Sequence, residues 1–214
     1  MRSSQDQTHR FVFNSISDLP VGRGRRYLSG TNGVVDRLIG GWTTGAIVVW
    51  ATRPPWFIAS NRTTVNQFNA ANNPADLVGM SFEEFKKNVG VFRTSTGVYF
   101  INPNLLNITT NANGQFVSST IKPGILASPA PGFFGNFPLN SLNGPRYFNV
   151  DMSLTKRIPI TETVKGELKT TFINILNNPN FIYNGNNFDS TSFGRITTTS
   201  GNPRIIHFTL KLTW

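Results

Sequence analysis

Residues 204–214 read "RIIHFTLKLTW", and their alternation is unbroken. Ile206, Phe208, Leu210, Leu212 and Trp214 fall at spacing two on one side, with Ile205, His207, Thr209, Lys211 and Thr213 on the other. Side chains on a strand point alternately to its two faces, so this spacing predicts a β-strand with a greasy face and a largely polar one. The greasy face has no break in it, and its last member is a tryptophan. The question for the fold is what solvent that face meets.

Working back from this strand, the same rhythm recurs. "RYFNVDMSLTKR" sets Phe148, Val150, Met152 and Leu154 against Asn149, Asp151, Ser153 and Thr155. "VKGELKTTFINIL" opposes Leu168, Phe172 and Leu176 to Lys165, Glu167, Lys169 and Thr171. "WTTGAIVVWAT" carries Trp42 and Trp50 on one face, and "THRFVFNSISDLP" alternates less cleanly, with Phe11, Phe13 and Leu19 opposite Val12 and Ile16. Five strands are thus expected, near 8–19, 42–52, 146–157, 164–176 and 204–214. Between the second and third lies a stretch, residues 53–145, without a sustained strand pattern. It holds one expected helix, "SFEEFKKNV", in which Ser81 and Glu84 have capping-box spacing. The remainder is turn chemistry such as "NAANNP" and "ITTNANGQF". A short helical or turn segment is also expected around Val34–Ile39.

Composition narrows the classes. The 214 residues include no cysteine, which removes disulfides and thiolate metal sites. Net charge is +10, yet only 14% of residues are charged, and the sole dense basic cluster is "GRGRR", Gly22 to Arg26. That cluster lacks the strand–glycine–helix context and the Lys-Ser/Thr ending of a phosphate loop. Its arginines are expected at a membrane rim near anionic headgroups or in the periplasm, and nucleic acid is not an expected partner. Asp151 and Glu167 read as polar residues on neighbouring strands rather than an acid–base pair. His9 and His207 are too isolated for a metal site, and Glu83-Glu84 reads as a helix start. No cofactor and no catalytic activity are expected.

Soluble sandwiches and transmembrane barrels both alternate with period two. Here the strands are about 11 residues long, close to the ~9–11 that cross a bilayer and well beyond the usual 5–6. Aromatic residues stand at strand ends, at Trp42, Trp50, Phe148 and Trp214, where rings with a polar edge favour the lipid–water interface. Connection lengths follow: "IPITET" is short, whereas 53–145 and 177–203 are long, as for inner turns and outer loops of an outer-membrane barrel. The expected fold is all-β: an open, curved segment of a transmembrane β-barrel in the cell outer membrane, forming one partial domain over 1–214. The long segment 53–145 is its extracellular loop, with a short helix inside.

Five pieces taken in order, "HRFVFNSISDLPVGRGRRY", "LIGGWTTGAIVVWATRPPWFI", "GPRYFNVDMSLTKRIPI", "ELKTTFINILNNPNF" and "FGRITTTSGNPRIIHFTLKLTW", resemble the end of the barrel of TonB-dependent outer-membrane transporters. The likeness is to the Oar-like group, whose plug is preceded by a carboxypeptidase-regulatory-like domain. The resemblance implies a barrel of about twenty-two strands, more than these five supply, so the chain is expected to be a C-terminal portion with Met1 an internal or artificial start. It implies as partners the outer-membrane lipid, the rest of the barrel and its plug, TonB acting through that plug, and the barrel-assembly machinery. The pattern Phe208, Leu210, Leu212, Trp214 resembles the signal that this machinery reads, and the same residues are expected to face lipid. The other reading is a soluble, secreted β-rich binding or adhesive domain without catalytic activity.

Overall fold

A computed structural model of the chain describes residues 2–65 and 73–214. Most of "NAANNP", residues 69–74, lies outside the described residues. The chain divides into two compact units.

The second unit comprises Arg10–Ala51, Phe148–Asn180 and Gly201–Trp214. Its strands are β1 (Arg10–Asp18), β2 (Trp42–Ala51), β3 (Tyr147–Pro159), β4 (Lys165–Ile173) and β5 (Ile205–Thr213). They form one five-stranded sheet in the order β1-β2-β3-β4-β5. The first pair, the β3–β4 pair and the last pair are all antiparallel. The sheet is open: β1 and β5 are its edges and do not pair with each other. All-β architecture, long antiparallel strands and an open, curved sheet are thus as the alternation predicts.

Two strand ends differ from the sequence pattern, each for a local reason. β3 runs on to Pro159, which pairs with Lys165 at the sheet end, where a residue without an N–H costs little. β4 stops at Ile173 because Asn174 turns out of the ladder at φ 50°, a left-handed conformation that asparagine tolerates better than most residues. The β3–β4 turn is closed by the Thr161 hydroxyl, which accepts from the Val164 N–H at 2.9 Å. Between β1 and β2 the expected helical or turn segment is a helix, α1 (Gly33–Ile39), its N-terminus capped by Asn32, whose side chain accepts from the Val35 N–H at 2.9 Å.

The first unit comprises Met1–His9, Thr52–Tyr147 and Phe181–Ser200. Here the reading of 53–145 as a loop with one helix needs correction. The helix is present as α2 (Phe82–Lys87), capped by Ser81 as expected. Around it the chain forms short strands, among them Val89–Thr94, Gly97–Ile101, Leu106–Thr110 and Phe116–Ile121. Strands of five or six residues complete too few alternations to stand out in a window of phenylalanines and amides. They enclose a core in which Phe85, Tyr99, Ile101, Phe137 and Phe193 are fully or almost fully buried. Phe82 and Phe85 both meet the Phe137 ring edge-on, at 5.7 and 5.6 Å between centroids, a favoured aromatic geometry.

The segment 181–200 completes this core. The Phe100 N–H donates to Gly194 O at 2.6 Å, and the Ser119 hydroxyl donates to Phe193 O at 2.6 Å. Gly194 has φ +79°, and a Cβ there would come within 2.8 Å of Leu106. Only glycine therefore lets the strap lie this close.

Candidate lipid-facing surface and lumen wall

The register of the sheet assembles two faces from the alternating strands. On one, Ile206, Phe208, Leu210 and Leu212 of β5 stand opposite Phe172, Thr170, Leu168 and Gly166 of β4. The same face continues into β3 through Met152, Leu154 and Ile158. Phe208 is 75% exposed and Leu210 69%. No layer of described residues covers them. Leaving a large apolar side chain in water rather than burying it forgoes about 1.5–3 kcal/mol each, so a contiguous face of this kind needs an apolar solvent or partner. Trp214 follows directly on β5 and is 91% exposed. The four residues singled out from the sequence thus lie on or just beyond one strand, unroofed.

Across β4 and β5 the opposite face is polar, whereas in β1 and β2 it also carries Val12, Ile16 and Ile47. Lys165, Glu167, Lys169 and Thr171 stand opposite Thr213, Lys211, Thr209 and His207. Glu167 pairs with Arg157 at 3.8 Å, both well exposed, and such a pair is worth little in stability. Glu167 lies opposite Arg157 and six residues along β3 from Asp151, which is about 20 Å of strand. These two carboxylates are not brought together. Asp151 instead accepts from the Asn174 N–H at 2.8 Å and from the Asn149 amide at 2.9 Å. Among the described residues there is no cluster of three or more His, Asp or Glu that could hold a metal ion.

The asparagines of "NILNNPN" have a structural task that the sequence reading missed. Asn174 is 4% exposed, and its side chain donates to Asn178 O at 3.1 Å and Asn202 O at 3.0 Å while accepting from the Asn178 N–H at 2.9 Å. Asn180 accepts from the Phe148 N–H at 2.7 Å, and the Asn178 amide donates to Phe148 O at 3.0 Å. Side-chain amides here stand in for backbone partners where the ladder between β3, β4 and the approach to β5 ends. Amide-rich sequence reads as generic loop, so spacing alone gave no warning of it.

Lys156 is the second residue missed. It stands opposite Leu168, on the apolar face, yet is 4% exposed. Its ammonium group donates to Gly40 O and lies 5.3 Å from the Trp42 ring centroid. The Trp42 indole N–H donates to Leu38 O at 3.2 Å. A long side chain whose stem follows apolar surface and whose charge reaches a polar edge, beside a tryptophan, is an interfacial arrangement. Extending the spacing-two count one step past Leu154 would have placed this lysine on the greasy face.

The backbone of the arginine cluster also proves to be no phosphate loop. Gly22 takes φ +117°, and the Arg23 N–H donates to the Asp36 carboxylate at 2.5 Å. The backbone donor that might have met a phosphate is held by an internal acid.

An open antiparallel sheet of long strands, greasy and uncovered on one face and polar on the other across β4 and β5, has the build of a transmembrane β-barrel wall. Comparison with protein families agrees: the model of the outer membrane beta barrel domain matches residues 1–207. The chain belongs to that family, and its place is the outer membrane. Neither the curated proteins nor the solved structures gave a match.

Proposed function

We propose that this chain is the closing part of the barrel of a TonB-dependent transporter of the Oar-like group, serving as scaffold and outer loops for energy-coupled uptake. The observation that carries the reading is the open five-stranded sheet, whose two unpaired edges require further strands to close a pore. Its connections support the orientation. Both long ones, from β2 to β3 and from β4 to β5, leave one end of the sheet, while the turn from β3 to β4 is at the other end with Trp214. In outer-membrane barrels the long loops are outside and the short turns periplasmic. In that orientation the long connections are extracellular loops that contribute to substrate capture.

In this reading Phe208, Leu210, Leu212 and Trp214 face lipid and present the terminal strand to the barrel-assembly machinery. The rest of the barrel, a plug and TonB are the further partners. The sheet is a passive wall, without catalysis or cofactor. The uncovered apolar face argues against the soluble adhesive domain.

The test is the full-length gene product. It is expected in the outer-membrane fraction, with a plug ahead of the barrel that cross-links to TonB. A product without a plug, or one found folded in the soluble fraction, defeats the proposal. Deletion of Trp214 is expected to lower the inserted fraction severalfold, read as the loss of heat-modifiable barrel on gels.

A further inference from the structure

The connector between β1 and β2 is too long for a plain turn, and what it exposes is apolar and basic together. On α1, Val34 and Leu38, four residues apart and so on one side of the helix, are 73% and 70% exposed. Tyr27 and Leu28 are also exposed, and Leu28 is held at φ 59°, unusual for a leucine. Residues 18–42 carry four arginines against two aspartates. Both aspartates are engaged, Asp18 with Arg25 at 3.8 Å and Asp36 with the Arg23 N–H. Among the described residues, Arg23, Arg26 and Arg37 have no ion pair.

The helix is also fixed to the greasy side of the sheet. Its last turn and cap supply the two carbonyls, Leu38 O and Gly40 O, that Trp42 and Lys156 hold. Lys156 belongs to the apolar face, so the end of α1 is anchored at the rim of the lipid-facing surface.

We propose that α1 and the arginine-rich turn before it form an interfacial foot that lies in the headgroup layer of the periplasmic leaflet and recruits anionic phospholipid. Val34 and Leu38 enter the acyl boundary, and Arg23, Arg26 and Arg37 meet lipid phosphates. Anchorage at the rim of the lipid face and the surplus of positive charge select a membrane surface as the occupant. The inference rests on the barrel orientation proposed above.

The chain has no cysteine, which permits single-site labelling. The full-length polypeptide is reconstituted in phosphatidylcholine vesicles with and without phosphatidylglycerol. A fluorophore is attached in turn at Leu38→Cys, at Leu210→Cys on the lipid face and at Val117→Cys in the first unit. Brominated lipid is expected to quench the probes at 38 and 210 and spare that at 117, which iodide in solution quenches. Replacing the arginines (Arg23→Gln, Arg26→Gln, Arg37→Gln) is expected to abolish the gain in quenching at 38 that phosphatidylglycerol produces. If 210 is quenched by lipid while 38 behaves like 117, the foot is wrong and the barrel stands. Quenching at 38 that ignores both lipid charge and the arginines overturns the anionic-lipid site. Failure at 210 overturns the barrel reading, and the foot with it.

Discussion

Phe208 and Thr170 face one another near the middle of β5 and β4, with Thr209 on the reverse side of the same strand. If hydrocarbon meets the Phe208 side, Phe208→Arg should cost about 2–4 kcal/mol, whereas Thr209→Arg on the lumen side should be nearly neutral. Urea titration of the full-length protein folded into bilayers measures both. Equal costs would remove the distinction between the faces. Asn174 makes a separate point. Asn174→Ala strands the Asn178 N–H and two carbonyls, and should cost about 2–3 kcal/mol by the same titration. Asn174→Asp should recover only the bond from the Asn178 N–H. The alternating residues were legible because each strand face repeats its chemistry. Lys156 and Asn174 were not, because their partners Gly40 and Asn202 are distant in sequence and a spacing rule does not see them.

At the scale of elements, legibility followed length. The five sheet strands have nine to thirteen residues, enough for the period to declare itself. The helix after Ser81 was readable because its cap is local, whereas the segment that Asn32 caps read only as helix or turn. The short strands of the first unit were not, since tertiary packing around Phe85, Tyr99 and Phe193 decides them more than any periodicity. The pair Asp76–Leu77 and Leu126–Ala127 is an instance, two residues on each side. Beside it, a Cβ on Gly79 would lie 2.1 Å from Gly124 O, so the backbones must touch. Gly79→Ala should cost about 1–3 kcal/mol through overpacking. Hydrogen exchange should show faster exchange at residues 76–78 and 125–127 and unchanged protection in β4 and β5. Loss of protection throughout the sheet as well would contradict two separate units.

The whole molecule is two units, and alkali should tell them apart. Burial drives the Tyr183 phenol well above its ordinary value, partly opposed by the bond it accepts from the Gly194 N–H. Its hydroxyl also donates to Gly185 O at 2.5 Å. A phenol whose folded pKa is raised supports folding fully below its unfolded pKa, about 10, and loses that support as pH climbs beyond it. The first unit should therefore weaken above about pH 10. In an ultraviolet titration Tyr183 should ionise only as that unit opens, and Tyr183→Phe should diminish the late step. A late step that is unchanged in Tyr183→Phe would refute the assignment. The core of that unit takes Ile101 and Leu106 from the chain before β3, and Phe188 and Phe193 from the chain after β4. It is fastened from two straps that the β3–β4 hairpin separates in sequence. Its contributors are far apart in the chain, so this core cannot close until both straps are in place.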